Sequence, residues 1–251
     1  MQISFSFQLI SNITFPVFIF LSLTTCAQKQ VLSIQEIVDK SIKAHGHEKF
    51  EKIHLEFIFR DYHYTLHRDT MQTIYSRQTV VDSLTIKDIY PTNGRLVRYV
   101  NEQPIELNDS IIDLYQSSLN AVMYFMELPY KLNDSPVIKE LKSEKEIDGR
   151  KYYTFEVTFQ GNDTHEDVYY YWIDKETYLI DYFAYSFLND GGGTRFRKAI
   201  NRRNINDVIF QDYENYRPEE KFVPLENLPD LLVDNQLILV SQVIKENISI
   251  H

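Results

Sequence analysis

The stretch best equipped for ligand chemistry is Asn189-Asp190-Gly191-Gly192-Gly193-Thr194-Arg195-Phe196-Arg197, which holds three of the chain's seven glycines. Glycine permits positive φ and close backbone approach, and successive backbone N–H groups cradle an anion. If Thr194 starts a strand, Arg195 and Arg197 project from one face. Two guanidinium forks on one face suit a carboxylate or a phosphate. Lys198, Arg202 and Arg203 extend this into a basic island on an acidic chain. The plainer reading is a hairpin loop beside arginines paired with Asp181, Asp190 or Asp212. The stretch is not a P-loop, because the Lys-Ser/Thr pair and the following helix are missing.

Histidines form the second constellation. His45 and His47 flank Gly46, and His63 and His67 stand four apart at a strand end. With Asp61 or Asp69 such a set contains the donors of a metal site. The same spacing suits histidines that are solvent-exposed at element ends, and no metal or other cofactor is expected. The chain contains neither Gly-x-Ser-x-Gly nor His-Glu-x-x-His, so no catalytic residue is assigned.

Composition limits the partners. The chain has 251 residues, 43% of them hydrophobic and 14% aromatic, which is enough to bury a sizeable core as one unit. A formal net charge of −10 argues against general nucleic-acid binding, which needs a basic surface to displace phosphate counterions. The single cysteine, Cys26, excludes an intramolecular disulfide. No charged side chain precedes Lys29, and the apolar run from Phe15 to Leu23 leads into Thr24-Thr25-Cys26. That run has the length of a signal-peptide core and is short for a membrane span. Leu23-Thr24-Thr25-Cys26 resembles a bacterial lipobox. It predicts a signal peptide over 1–25, a lipidated Cys26 with a tether over 26–32, and a single domain over 33–251. The implied partner is a membrane, held through acyl chains that each contribute about 0.8 kcal/mol per buried methylene.

The elements that must position these residues follow from pattern. Ser33-Ile34-Gln35-Glu36 has the capping-box form ahead of an apolar face of Ile34, Ile37, Val38 and Ile42, which predicts a helix ending near Gly46. Alternation predicts strands over 53–64 and 71–80, a third starting at Asp88, and a hairpin at Asn93-Gly94. A second helix is expected from Asn108-Asp109-Ser110 to Met126, capped by Asp109 or Ser110, with Ile111, Leu114, Tyr115, Leu119, Val122, Met123 and Met126 on its apolar face. Strands resume at 137–145 and 152–159 around the tight turn at Asp148-Gly149. They continue through the aromatic runs of Val168–Tyr216 and close at 237–243.

Both faces of the Val168–Tyr216 strands are apolar, whereas an antiparallel sheet with one wet face alternates. From Tyr178 to Phe187 one face reads Tyr178, Ile180, Tyr182 and Ala184. The other reads Leu179, Asp181, Phe183, Tyr185 and Phe187. Two helices can cover one face, and the other can curl around a cavity whose wall suits tyrosine, an apolar ring with a hydroxyl. Trp172, Tyr182, Tyr185 and Phe187 are the candidate cavity residues, and Arg195 and Arg197 the candidate anchors for an anionic headgroup. A solid aromatic core without ligand fits the same residues.

Asn120-Ala121-Val122-Met123-Tyr124-Phe125, Leu128-Pro129-Tyr130-Lys131-Leu132-Asn133-Asp134, Tyr171-Trp172-Ile173-Asp174, Gly192-Gly193-Thr194-Arg195-Phe196-Arg197 and Phe210-Gln211-Asp212-Tyr213-Glu214-Asn215-Tyr216 resemble a family of uncharacterised Bacteroidota lipoproteins of the DUF6503 type. The order of helices and strands is similar to lipoprotein carriers of the LolA/LolB type. That resemblance implies an α+β fold whose curved antiparallel sheet forms a half-open β-barrel with helices packed on one face. It also implies a cell-envelope lipoprotein, facing the periplasm from the outer membrane, that binds an apolar or amphipathic lipid-like ligand. The alternatives are a hydrolase-type enzyme with a site near Asp190, Arg195 and His63, and a structural or interaction lipoprotein without a ligand.

Overall fold

A computed structural model of the protein describes residues 1–3, 32–161, 168–188 and 191–251. Cys26 and Asp190 lie outside these residues. The chain divides into Met1–Val31 and Leu32–His251, and the second unit holds all the helices and strands named below its start at Leu32. No helix among the described residues is long and apolar enough to cross a membrane.

Helix α1 is Ile34–Ala44, and its start is the expected capping box: Ser33 Oγ accepts from the Glu36 amide while the Glu36 carboxylate accepts from the Ser33 amide. These bonds satisfy backbone donors that would otherwise be orphaned. The Ser33 amide and hydroxyl both donate to that carboxylate and hold the Glu36 carboxyl below its usual range. Gly46 ends the turn at φ 70°, and a Cβ there would stand 1.9 Å from the Asp207 carbonyl oxygen, so only glycine fits.

The first sheet comprises β1 (Ile53–Phe59), β2 (Tyr62–Arg68), β3 (Thr73–Val81), β4 (Leu84–Pro91), β5 (Val97–Val100) and β6 (Gln103–Ile105). Residues 53–64 are therefore a hairpin, not one strand. Arg60 takes φ 54° and reverses the chain at Arg60-Asp61, so that Phe59 pairs with Tyr62. Helix α2 (Asp109–Met126) follows, capped by Asn108, whose side chain accepts from the Ile111 amide. That is one residue earlier than expected, and Asn is as good a cap as Asp or Ser.

The second sheet comprises β7 (Val137–Leu141), β8 (Lys145–Ile147), β9 (Arg150–Phe159), β10 (Tyr169–Asp174), β11 (Ile180–Phe187), β12 (Gly193–Ile205), β13 (Val208–Arg217) and β14 (Ile238–Val243). A short helix α3 (Leu228–Val233) precedes β14, and β15 (Glu246–Ile250) returns to pair with β1. The spatial orders are β15-β1-β2-β3-β4-β5-β6 and β14-β13-β12-β11-β10-β9-β7, with every pairing antiparallel and neither sheet closed into a barrel. The architecture is thus α+β with open, curved antiparallel sheets.

Local chemistry fixes the hairpins. Asp82-Ser83, Asn101-Glu102, Asp148-Gly149 and Asn206-Asp207 each place two successive residues at positive φ. That is the two-residue turn whose twist matches the flanking strands. In the Trp-Ile-Asp-x-x-Thr segment, Asp174 Oδ1 accepts from the Glu176 and Thr177 amides and the Thr177 hydroxyl. Burial works against the Asp174 charge, but these bonds outweigh it and hold the carboxyl below its usual range.

Helix α1 lays Ile37, Val38 and Ile42 on Phe155, Tyr171, Ile173, Ile180, Phe183 and Tyr213 of the second sheet. Fully burying each such aliphatic contributes about 1.5–3 kcal/mol. Helix α2 is a wedge between the sheets. Leu119, Met123 and Met126 pack on the first sheet, while Tyr124 and Phe125 pack on the second. Leu114, expected on the apolar face, is exposed.

The opposite face of the second sheet is also covered. Tyr152, Tyr170, Trp172, Ala184 and Phe196 pack under Leu225 and Leu228, with Leu231, Leu232 and Leu237 alongside. This C-terminal cover, α3 included, has no counterpart in the sequence pattern, where prolines interrupt the periodicity.

Candidate functional site

The six residues expected to form the site do not share a face. Between β10 and β11 the register runs Trp172↔Tyr182 and then Ile173↔Ile180, so Asp181 is an extra, bulged residue. The bulge moves Ile180 to the Phe183 side, away from Tyr182. Trp172 and Tyr182 therefore belong to the face packed under the C-terminal segment. Trp172 is fully buried against Phe196 and Tyr170, whereas Tyr182 lines a polar surface cavity of about 250 Å³ with Arg150, Tyr152, Asp181 and Arg202.

Tyr185, Phe187, Arg195 and Arg197 share the other face. Tyr185 pairs with Arg195, Phe187 with Gly193, and Phe183 with Arg197. Arg195 and Arg197 do project together, as two alternate residues of one strand must. Their surroundings differ. Arg195 lies over the Phe187 ring, 5.0 Å from its centroid, and donates to the Thr194 carbonyl. Arg197 donates to the Tyr185 hydroxyl at 3.1 Å and lines a cavity. The other arginines of the basic island are paired: Arg202 with Asp181, and Arg203 with Asp212 at 2.8 Å.

That cavity, of about 230 Å³, lies where α2 wedges the sheets apart. Ala121, Val122, Phe125 and Met126 of α2 form one wall. Phe183, Tyr213 and Val243 form the opposite wall, and Phe59 comes from β1. Its polar groups are Arg60, Arg197, Asn215, Ser241 and Lys245. Arg197 and Asn215 are directly opposed across β12 and β13. Asn215 donates to Ser241 Oγ at 3.0 Å. Its Oδ1, like Arg197 Nη1, is buried without a hydrogen-bond partner.

Lys245 is the residue that sequence reasoning missed. It lies in the short link from β14 to β15, which carries the chain from one sheet to the other. Its ammonium donates to the Gln211 carbonyl at 2.7 Å and lies over the Tyr213 ring, while its amide donates to Asp212. Burial is the main cause that pulls its pKa down to about 8, opposed by the Asp212 charge. At neutral pH it therefore remains mostly protonated. Burial pushes Tyr213 the other way, up to about 12. Among the described residues, no carboxylate lies within ion-pair distance of the Lys245 ammonium or the Arg197 guanidinium. Nothing in the sequence signals Lys245, since a lone lysine between two apolar strands has no pattern.

The histidines separate into two kinds. His63 and His67 are partly exposed on β2 and pair with Glu56 and Asp69. His45 and His47 are buried, contrary to the expectation of exposed element ends. His47 stacks on Phe50 at 4.2 Å and meets His45 edge-on at 5.5 Å. His45 Nδ1 bonds the Ser41 carbonyl and His45 Nε2 has no partner among the described residues, whereas the His47 ring meets the Glu127 and Ile209 backbones outside good hydrogen-bond geometry. Among the described residues, no group of three His, Cys, Asp or Glu is placed to hold a metal. For the hydrolase alternative, His63 and Arg195 stand in different sheets with different partners, and Asp190 is outside the described residues.

Burial lowers the pKa of His45 to about 4 and of His47, with His45's charge assisting, to about 3. Unfolded histidines titrate near 6.5. Between these values the unfolded chain binds more protons, so stability falls as pH falls. The protein is expected to keep its full histidine contribution above about pH 6.5 and to lose stability from there toward pH 4. The slope approaches about 2.7 kcal/mol per pH unit where both rings contribute. Urea midpoints measured across that range test this, and a His45→Gln, His47→Leu double variant should flatten the dependence.

The fold and site thus define an open α+β two-sheet protein with an apolar-walled cavity whose two inner cations, Arg197 and Lys245, have no ion-pair partner among the described residues. The chain belongs to a family of unknown function, DUF6503, whose model matches residues 14–246. No curated protein matches the chain. Similar solved structures include a LolA superfamily protein from Nitrosomonas europaea, at 12% identity and TM-score 0.46 over 74% of this chain and 86% of that one. Another is a putative outer membrane lipoprotein-sorting protein domain from Vibrio parahaemolyticus, at 9% identity and TM-score 0.38 over 71% and 86%. The Mycobacterium tuberculosis lipoprotein LppX is similar at 9% identity and TM-score 0.26 over 64% and 91%.

Proposed function

We propose that the protein is a cell-envelope lipoprotein of the Bacteroidota type that holds an apolar or amphipathic molecule in the cavity beside α2. Residues 1–25 are its signal peptide, and lipid on Cys26 anchors it to the outer membrane, facing the periplasm, through the tether 26–32. The observation that carries the ligand reading is the wall itself, apolar on both sides yet holding two cations that have no ion-pair partner among the described residues. Burying charge without a partner is costly, and a ligand's polar end offsets that cost. Arg197 engages that end, with Tyr185 holding the guanidinium in place. Phe187 and Arg195 stand at the strand end beside it. Trp172 and Tyr182 serve the opposite, packed face.

The cavity lies below the about 300–1,000 Å³ of sites that enclose drug-sized ligands. It therefore accommodates a slender molecule, or one chain of a larger one. A neutral naphthylamine dye is the appropriate probe. Its fluorescence should rise on binding to wild-type protein, and Ala121→Trp should reduce its affinity by at least tenfold, because Ala121 lines the wall while being exposed enough to tolerate a larger ring. Equal binding by both proteins, or none by either, would remove the cavity as the site. The absence of binding would favour an interaction lipoprotein without a ligand, for which the exposed Ile238, Leu239 and Val240 of the edge strand β14 are the supporting observation.

A further inference from the structure

We infer that the molecule this cavity selects is a single-chain carboxylate, with its head held between Arg197 and Lys245 and its chain along Phe125, Phe183 and Val122. The inference rests on the proposed ligand cavity and specifies its occupant.

Three observations support it. The first is charge: Arg197 and Lys245 both line the cavity, and among the described residues neither side chain has a carboxylate within ion-pair distance. Asp212, the nearest acid to Lys245, is already engaged by Arg203 and by the Lys245 backbone amide. The site is therefore short of negative charge, and one monoanion balances it better than a neutral polar group.

The second is the supply of donors. Arg197 Nη2 is used by Tyr185, which leaves Nη1 buried and unpartnered. The Lys245 ammonium has one bond, to the Gln211 carbonyl, so two of its three N–H groups remain. Ser241 accepts from Asn215 and keeps its own hydroxyl proton to donate. A carboxylate's two oxygens are met by this set. A phosphate monoester, with three oxygens and up to two charges, is the competing head group, and the displacement series below separates the two.

The third is size. About 230 Å³ of apolar-walled space admits one chain and not the paired chains of a phospholipid. Arg60, exposed at the β1–β2 turn, adds a third cation at the mouth. It favours entry of an anion at low salt, where steering is least screened.

The test is displacement of the neutral dye from the full-length protein by dodecanoate, dodecanol and dodecyl phosphate at pH 7. Dodecanoate should displace it at a concentration about tenfold to a hundredfold lower than dodecanol, the worth of a charge-assisted hydrogen bond over a neutral one. Arg197→Met and Lys245→Met should each erase most of that preference by weakening dodecanoate far more than dodecanol. The comparison of three ligands on wild-type protein needs no variant, so it stands even if a variant folds poorly. Equal potency of dodecanoate and dodecanol would overturn the carboxylate assignment and leave the cavity reading intact. A clear preference for dodecyl phosphate would also overturn it. Failure of the dye to bind at all would overturn both.

Discussion

Glu127→Ala should lower stability by about 3–5 kcal/mol, a large share of the about 5–15 kcal/mol that a domain possesses. Glu127 caps the C-terminal end of α2 and is fully buried. Its two oxygens have separate duties: Oε2 stands 2.6 Å from Arg68 Nη2, and Oε1 accepts the Tyr75 hydroxyl at 2.6 Å. Arg68 is fixed besides by the Phe50 carbonyl, by Thr73 and by the Tyr130 ring. It cannot swing out to water when its partner is removed. The variant therefore strands a buried guanidinium and a buried hydroxyl together, and it loosens the helix that walls the cavity. Glu127→Gln keeps the acceptor for Tyr75 and should cost less. Arg68→Met combined with Glu127→Met should cost less than Glu127→Ala alone, since no charge is left unpaired. Urea unfolding followed by circular dichroism measures all three. A loss below about 1 kcal/mol for Glu127→Ala, the level of an exposed ion pair, would contradict a buried, shared role for this carboxylate.

Trp172→Ala should cost about 3–5 kcal/mol as well, with little change in dye affinity. The reason is positional. Trp172 looks like the natural centre of an aromatic cavity, yet the bulge at Asp181 and the cover from Leu225 and Leu228 place it in a solid layer. Its removal leaves a void where surrounding rings relax only partly, and the cavity lies on the other side of the sheet. Thermal unfolding combined with dye titration separates the two possibilities. A stable variant that has lost the dye would put the ligand on the Trp172 face and refute its placement beside α2.

Much of the fold is legible from local pattern. The capping box at Ser33, the span of α2, the Asp148-Gly149 turn and the alternation of β9 are set by residues near one another in sequence. So is the shared face of Arg195 and Arg197. Other features depend on distant partners. The hairpin at Arg60-Asp61 carries no glycine, proline or asparagine, so alternation runs through it unmarked. The Asp181 bulge shows only in the register against β10, and it moves Ile180 to the opposite face. The C-terminal cover reads as irregular because Pro218, Pro224 and Pro229 break its periodicity, although its leucines bury the whole Trp172 layer. His45 and His47 sit at a helix end in sequence but beneath Phe210 and Phe50 in space. Lys245 belongs to the site only because the chain crosses from β14 to β15 beside Arg197's cavity.

The central claim is that the space beside α2 holds a molecule. Native mass spectrometry of the full-length protein, produced in an envelope and released gently, tests it most directly, with extraction to identify any bound mass. The expected result is an adduct of one small amphipathic molecule on wild-type protein, lost on mild activation and greatly reduced in Ala121→Trp. Wild-type protein that carries no adduct and acquires none from added dodecanoate would contradict it.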